Sequence, residues 1–537
     1  MKNTMKRVLA LSLVVLQGMA FADTNNRLFY TARPHLSNMP LKLGTFYSAA
    51  NQDNPGFGGA FQAAAFYEQS TDQNKAGKFF SFTNKNSFKI QGAAAAAGLN
   101  AAAADADALP GNFALDRGYN GNITLRPQRT SYGLHLNYQQ DLHNIIENLY
   151  MVAAAPVVTV EHTLGVKEEI TANPGYTFAH VMAGGRLTSD FSAPVEYGKI
   201  VNKQRVTGLA DVDLGLGYRI FNNDRVRVQG EIHGVIPTGQ NPSGRHMFEA
   251  LVGNNGHWGL GANLSGRVNV WQNQENEDNR FSLWVNADVK YLFENNQVRT
   301  LGLKDKPGAQ FARMRQQNPA TPANVLANSV PGLNAMTRAV KVNPGVQAEG
   351  MLWGDYTMNA WKFGLGYNIF GRQAESVKLK GALADGGTYG LTAQLVEVTN
   401  APATEANYLN QTNATNAVGN LTLAAAGNAI RQNDHFIFPT QISAGPAAYA
   451  ANQPMGAVAS ISDIKTNAAN NGTFIADADL DMLVQKAAIS HKVAGQVSYA
   501  LNTDNPSYLG LGGGYEFAGS NDLLSNWQVW AKFGITF

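Results

Sequence analysis

LADVDLGLGYRIF, residues 209–221, decides the fold class, because its polarity alternates with every step along the chain. Ala210, Val212, Leu214, Leu216, Tyr218 and Ile220 fall on one face, and Asp211, Asp213, Gly215, Gly217 and Arg219 on the other. A period of two is the signature of an extended strand with one apolar side. Asn222-Asn223-Asp224 then reads as a tight turn. Beyond it Val226, Val228, Ile232 and Ile236 oppose Arg225, Arg227, Gln229, Glu231 and His233, which makes a long hairpin. The design recurs in His257–Trp271, where Leu260, Leu264 and Val268 oppose Asn263, Ser265 and Arg267. It recurs again in Arg280–Phe293, where Leu283, Val285 and Val289 oppose Asn286, Asp288 and Lys290.

The C-terminal third repeats the pattern. Trp361, Phe363, Leu365, Tyr367 and Ile369 alternate with Lys362, Gly364, Gly366 and Asn368, and Leu509, Leu511, Tyr515 and Phe517 with Gly510, Gly512, Gly514 and Glu516. These runs of about 10 to 14 residues exceed the usual five or six of globular strands and match the 9 to 11 tilted residues that cross a bilayer. Aromatics gather near strand ends, as in Tyr218 with Phe221 and Tyr291 with Phe293, where interfacial girdles are expected. A soluble β-sandwich would alternate too, with its apolar face turned inward on shorter strands.

Strands are expected near 41–48, 59–69, 78–84, 131–140, 148–161, 207–221, 225–236, 257–271, 280–293, 345–357, 359–371, 492–501, 507–517 and 526–537. That is about 14, within a range of about 12 to 16, and even, as single-chain bacterial barrels prefer. Every second connection is short, among them 141–147, 222–224, 272–279 and 502–506, whereas most of the alternate ones are long. Short periplasmic turns and long external loops separate in this way in transmembrane barrels. The fold class is therefore all-β, a transmembrane antiparallel up-and-down barrel with short helices in its loops.

Composition agrees. Of 537 residues only 15% are charged, 10% are aromatic and 54 are glycine, which excludes a charge-rich disordered chain. The 41 basic and 39 acidic residues leave a net charge of +2, so no global electrostatic argument exists for nucleic acid. The absence of cysteine removes disulfides, thiolate zinc sites and cysteine nucleophiles. Lys2, Lys6 and Arg7 precede the apolar run Val8–Leu16, and Ala20-Phe21-Ala22 is a small-x-small cleavage pattern. Residues 1–22 thus read as a secretory signal peptide and 23–537 as one transmembrane β-barrel domain, with loop insertions 85–130, 162–206, 294–344 and 372–491.

The leader, the alternating strands, the unequal loops and a terminal Phe537 preceded by Phe533 and Ile535 resemble a Gram-negative outer-membrane β-barrel of the porin or channel type. The resemblance covers nearly the whole mature chain and identifies an architecture rather than a solute. It implies an outer-membrane location. It further implies that Phe533, Ile535 and Phe537 form an assembly signal, read by periplasmic chaperones and the barrel-assembly machinery. The strand number is similar to that of the long-chain fatty acid transporter family. Ile232–Ser265, with Pro237-Thr238-Gly239 after a strand, is similar to outer-membrane transporters linked to aromatic degradation. Asp23–Pro40 carries no plug motif.

By parity Asp211, Asp213, Arg219, Arg225, Arg227, Glu231, His233, Arg267, Arg280, Asp288, Lys290 and Lys362 point inward, where water or opposite charge must compensate them. Such a lumen would pass small solutes by size and charge, or brace a narrow barrel without throughput. The loop 372–491 could fold outside as a cap or inside as a constriction. Asp477–Lys486 and the alanine-rich Gly92–Leu109 are helix candidates. No cofactor, metal or catalytic residue is indicated: the ten histidines include no His-Glu-x-x-His pair, and Ser131 and His135 lie roughly 13 Å apart along one strand, too far for proton transfer. The expected function is an outer-membrane pore or channel for passive passage of small solutes, with no enzymatic activity. A structural or adhesive surface barrel and a hydrophobic-ligand transporter are the alternatives. The expected partners are outer-membrane lipid and the solutes, with a homo-oligomer left open.

Overall fold

The computed structural model describes residues 27–44, 58–83, 85–91, 107–108, 110–113, 115, 119–171, 175–185, 193–276, 279–303, 308–311, 313–316, 329–381, 389–391, 478–479, 483–502, 507–519 and 523–537. The leader 1–22 and nearly all of Gly92–Leu109 lie outside them, as do residues 382–388 and 392–477 of the longest loop.

Twelve long strands form the wall: β1 (Gly59–Ser70), β2 (Gln128–Asp141), β3 (Leu149–Thr163), β4 (Val212–Asn222), β5 (Val226–Ile236), β6 (Gly259–Gln272), β7 (Arg280–Leu292), β8 (Gly345–Met358), β9 (Trp361–Arg372), β10 (Ala488–Asn502), β11 (Ser507–Ala518) and β12 (Asn526–Thr536). Each pairs antiparallel with its sequence neighbour, and β12 pairs with β1 from Ala60↔Thr536 to Ser70↔Asn526, which closes the barrel. A further strand, Lys203–Leu209, runs into β4. The external half of β3 pairs with it and the other half with β4, while Ala210 N donates to Pro156 O at 2.8 Å across the junction. The alternating stretch 209–221 is thus one strand with an irregularity at Ala210-Asp211, and Asp211 is turned inward to accept from Asn254 N at 2.8 Å.

The turns have local causes. Asn223 Oδ1 accepts from Val226 N at 2.7 Å and closes the β4–β5 turn. Asn359 takes a φ of 50° in the two-residue β8–β9 turn, a left-handed conformation that asparagine tolerates. The connections at this end are all short and those at the opposite end long except for the seven-residue link 519–525, so the first end is read as periplasmic and the second as external.

The outer face of the wall carries the apolar alternates. Leu365 is 66% exposed and Leu511 69%, with Leu216, Leu264, Val285 and Leu352 beside them in the same belt. Aromatics bound it: Phe221, Trp271, Tyr356, Trp361 and Tyr499 toward the periplasmic end, and Trp258, Tyr291, Phe293, Tyr515 and Phe517 toward the external end. An apolar band between two aromatic girdles is the surface of a barrel in lipid. Among the described residues no helix is long and apolar enough to cross a membrane.

The strand number sits at the lower end of the expected range because two expected strands are absent from the wall. In place of 78–84 stands a helix, Gln73–Phe80, capped by Asp72 Oδ1 accepting from Lys75 N at 2.9 Å. Its Phe79 and Phe80 point into a core rather than alternating across a sheet. In place of the start of 41–48 stands a one-turn helix, α1 (Met39–Lys42), with Pro40 in its first turn. The helix expected over Asp477–Lys486 is also not formed where that stretch is described: Ala478–Asp479 pairs with Gly302–Leu303. Leu483 is buried there and followed by coil.

Outside the belt, the described loop residues build three three-stranded sheets: Ser87–Gln91 with Asn120–Thr124 and Lys167–Ile170, Asn295–Thr300 with Thr337–Asn343 and Ser376–Leu379, and Arg313–Gln316 with Ser329–Pro331 and Tyr389–Leu391. A largely aromatic core joins the loops, with Phe79, Phe80, Phe88, Phe113, Phe178, Phe248 and Phe311 at its centre. The barrel therefore bears a folded external cap.

Candidate functional site in the barrel lumen

The segment Arg27–Leu43 threads the barrel from cap to lumen. At its external end Leu28 and Tyr30 sit in the aromatic core, Tyr30 edge-on to Phe248 with ring centroids 5.7 Å apart. Below them Arg372 Nη1 donates to Thr31 O at 2.7 Å. Arg33 is the central anchor. Its Nη2 donates to Glu349 Oε1 on β8 at 2.6 Å and to Asn368 Oδ1 on β9 at 2.6 Å. Its Nη1 donates to Glu516 Oε1 on β11 at 3.0 Å, and the guanidinium lies 4.9 Å from the centre of the Phe370 ring. Arg299 plays a similar part above, stacked 4.1 Å over Phe29 while it holds Glu375 through both guanidinium nitrogens at 2.6 and 3.2 Å. Burial raises the Glu375 carboxyl, but Arg299 and the Gln485 backbone N–H outweigh it and hold that carboxyl below its ordinary value.

Deeper in the lumen α1 packs Met39 and Leu41 against inward-facing Ala64, Phe66, Met351, Trp353, Ala494 and Trp530. Its backbone ends are satisfied by the wall: Met39 N donates to Glu349 Oε1 at 2.8 Å, Gln62 Nε2 to Leu41 O at 3.1 Å, and Lys532 Nζ to Pro40 O at 2.7 Å. Inward glycines make room for the rings. A Cβ on Gly364 would stand 2.5 Å from Trp353 Nε1, and one on Gly534 would stand 2.2 Å from Tyr508 Cε1. Side chains of β1, β8, β10 and β12 are thus packed against the segment.

On the other side, between the segment and β2–β8, lies a cavity of about 210 Å³. Asp213, Glu231, His233, Asp288 and Glu349 line it together with Lys42, Arg227 and Arg267. His233 stands between two carboxylates, Nδ1 2.8 Å from Asp213 and Nε2 2.9 Å from Asp288. Lys290 lies 3.3 Å from Asp288, and Lys42 of α1 lies 3.7 Å from Asp213. Tyr150 OH donates to Glu231 Oε1 at 2.8 Å. Leu36, Met39, Leu43, Val152, Met351 and Trp284 supply apolar lining.

Of the residues expected inside, Asp211, Asp213, Arg219, Arg227, His233, Arg267, Asp288, Lys290 and Lys362 are buried within the barrel and Glu231 is half-buried in it. Arg219 pairs with Asp141 at 3.0 Å and Lys362 with Asp355 at 3.7 Å. Arg225 is exposed in the β4–β5 turn, and Arg280, half-buried, begins β7; both sit at the periplasmic rim. Phe533, Ile535 and Phe537 face outward, Phe537 with its N–H on Gly59 O at 2.9 Å beside the barrel's closing seam. Parity did place Asn368 and Glu516 on a hydrophilic face without naming them as lining. Arg33 lies in the unpatterned stretch before the first expected strand, and Lys42 lies in the expected strand 41–48, which would have put it in the wall rather than in the threaded segment. Among the described residues no group of acidic and histidine side chains could hold a metal ion.

No family model matches the chain, and no curated protein does. Solved structures with a similar fold include an outer membrane channel from Pseudomonas putida F1, at 9% identity, covering 92% of this chain and 100% of that one with a TM-score of 0.37. The toluene transporter TbuX of Ralstonia pickettii follows at 9% identity, 91% of each chain and a TM-score of 0.27. The transport unit of the autotransporter AIDA-I from Escherichia coli gives 7% identity, 93% and 96% coverage and a TM-score of 0.28. At such scores the likenesses carry nothing about solute or mechanism, and the assignment of this chain to the outer-membrane type of β-barrel rests on its closed ladders and its apolar belt.

Proposed function

We propose that the protein is an outer-membrane channel for the passive passage of small hydrophilic solutes, shut in this state by its own segment Arg27–Leu43. The observation that carries the reading is the charged cavity beside that segment, enclosed by a wall whose ladders run unbroken around the barrel. A structure built only for bracing would gain more by filling this space, because buried ion pairs contribute little net stability compared with apolar packing. A transporter of hydrophobic ligands would need a lateral opening, and the strand pairings leave none among the described residues. In this reading residues 1–22 are removed on export, Phe533, Ile535 and Phe537 serve the assembly machinery, and the barrel performs no chemistry.

Planar-bilayer recording tests it. The wild type should give small or intermittent conductance, and Arg33→Gln, which loosens the segment without removing the barrel, should raise the open probability. Negligible conductance from both, with a folded barrel confirmed by heat-modifiable gel mobility, would leave the protein as an anchor for its external cap.

A further inference from the structure

Beyond the membrane belt the wall strands β7, β8 and β9 carry on, in the same order, as the sheet of Asn295–Thr300, Thr337–Asn343 and Ser376–Leu379. One face of this sheet is buried, with Val340, Val342, Gln297 and Arg299 on it. The other face carries Lys341 and Lys378, directly opposite each other in the register. Lys380 lies on that face too, its N–H continuing the ladder by donating to Ala339 O at 3.1 Å. All three lysines are exposed. Glu294 stands 3.4 Å from Lys341, with both side chains about half exposed, and an ion pair so wetted is worth little. Among the described residues Lys378 and Lys380 form no ion pair. Three lysines against one carboxylate leave this face an excess of positive charge, and the opposed pair repel each other.

The same face runs down into the external girdle. Asn343, two residues from Lys341 on its strand, donates through Nδ2 to the Tyr291 hydroxyl at 3.0 Å, and Tyr291 is one of the outward rings that bound the apolar belt. Two residues at about 3.4 Å each and a tilt of about 40° put Lys341 about 5 Å farther out along the barrel axis. Each polar headgroup layer of a bilayer is roughly 5 to 7 Å thick. The ammonium groups thus stand at headgroup depth on flexible stems.

We infer that Lys341, Lys378 and Lys380 form a docking site for the phosphate groups of the glycolipid in the outer leaflet. An open face holds a free anion weakly, because water and salt screen it. A phosphate carried by a lipid is delivered at this height at high local concentration. Lysine suits it as a mobile point charge that needs no fixed fork, and a phosphate between Lys341 and Lys378 relieves their repulsion. On the part of the same rim beside β3 the balance differs, since Glu161 already holds both Lys203 at 3.1 Å and Arg205 at 3.4 Å.

Binding is measured by native mass spectrometry of the detergent-solubilised full chain, titrated with diphosphorylated lipid A, with the dephosphorylated lipid as its neutral counterpart and inorganic phosphate as competitor. The phosphorylated lipid should bind more tightly, and inorganic phosphate should not displace it. Lys341→Gln, Lys378→Gln and Lys380→Gln should each lower its affinity about fivefold, and the triple variant about a hundredfold. Lys378→Arg, which keeps the charge, should bind like the wild type, and Lys203→Gln should lose less than any of the three. Each variant is first checked for heat-modifiable mobility; should the triple variant fail to fold, the single variants carry the test. Equal binding of the two lipids, undiminished affinity in the folded variants, an equal loss in Lys203→Gln, or displacement by inorganic phosphate overturns the docking site. The leaflet is fixed on intact cells with Lys378→Cys in a chain that has no other cysteine. A membrane-impermeant maleimide should label it, and labelling only after permeabilisation would overturn the assignment to the outer leaflet. Docking is independent of throughput, so its failure leaves the channel reading standing and the absence of conductance leaves the docking site standing.

Discussion

Substituting arginine for Leu511 separates a barrel in lipid from a sheet packed on itself. Leu511 is the fifth of twelve residues in β11 and is 69% exposed on the outer face. At about 3.4 Å per residue and a tilt of about 40°, the strand climbs roughly 2.6 Å per residue along the barrel axis. Leu511 is then about 10 Å above the strand's periplasmic end, close to the middle of a belt about 25 Å tall. A cation there costs about 2 to 4 kcal/mol, which at 1.4 kcal/mol per decade is a 30-fold to several-hundred-fold shift toward the unfolded state. Phe517, one residue from the external end of the same strand, lies in the aromatic girdle, and arginine there should cost about 0 to 1 kcal/mol. Asn263→Arg places the same charge in the lumen beside its register partners Glu231 and Asp288 and should leave stability within about 1 kcal/mol of the wild type. Urea titrations of vesicle-inserted protein, followed by gel mobility, give all three values. Similar losses at Leu511 and Phe517, or a larger loss at Asn263 than at Leu511, would refute the assignment of faces.

Gly364→Leu should destabilise the barrel by about 1 to 3 kcal/mol through overpacking against the buried Trp353 ring, whereas Gly371→Ala, with nothing nearer than 3.9 Å, should be tolerated; thermal gel-shift midpoints distinguish them. Because Arg299 lowers the Glu375 carboxyl, the pair stabilises the cap above the ordinary carboxyl value of 4.5, and the contribution disappears as pH falls through the lower folded value. Hydrogen-exchange protection factors at Phe29–Thr31 and Ser376–Leu379 should therefore fall below about pH 4.5 in the wild type, and in Glu375→Gln they should already be low at neutral pH with no such acid step. An epitope inserted directly ahead of Arg27 should be labelled on intact cells, since Arg27 N donates to Phe79 O within the external cap. Labelling only after the outer membrane is permeabilised would reverse the orientation.

The wall was legible in the sequence because a bilayer imposes two constraints at once, strand length and strict alternation, and both leave a mark on single residues such as Leu214 beside Asp213. Twelve strands rather than fourteen form it because Phe79-Phe80 and Leu41 are apolar for another reason: they fill a core made of loops and a core made around the threaded segment. Local pattern cannot tell which neighbour buries a short apolar run. The inward glycines, read from sequence as part of a hydrophilic face, are partly sockets for Trp353, Trp530, Tyr508 and Tyr150. Arg33 left no signal and Lys42 was read as part of a wall strand, since their partners Glu349, Glu516 and Asp213 are some 170 to 480 residues away in sequence.

How the segment is held constrains how it can move. Arg33 is bound to strands on three parts of the wall, and removing one member of a buried ion pair typically costs about 3 to 5 kcal/mol because its partner stays charged and dry. With Arg33 withdrawn, Glu516 would keep Lys492 at 3.1 Å, but Glu349 would keep only the Asn368 amide and, for as long as α1 stayed in place, the Met39 N–H. A dry sliding motion of the segment is therefore costly, and each water that reaches Glu349 lowers that cost. Displacement and wetting must then occur together. The cavity already brings polar lining up to Glu349 and Lys42, so opening should start on the side of β2–β8 and spread toward the packed aromatic side. Lys42 would leave Asp213 before Arg33 leaves Glu349, since its 3.7 Å contact is partly exposed whereas the Arg33 pair is buried.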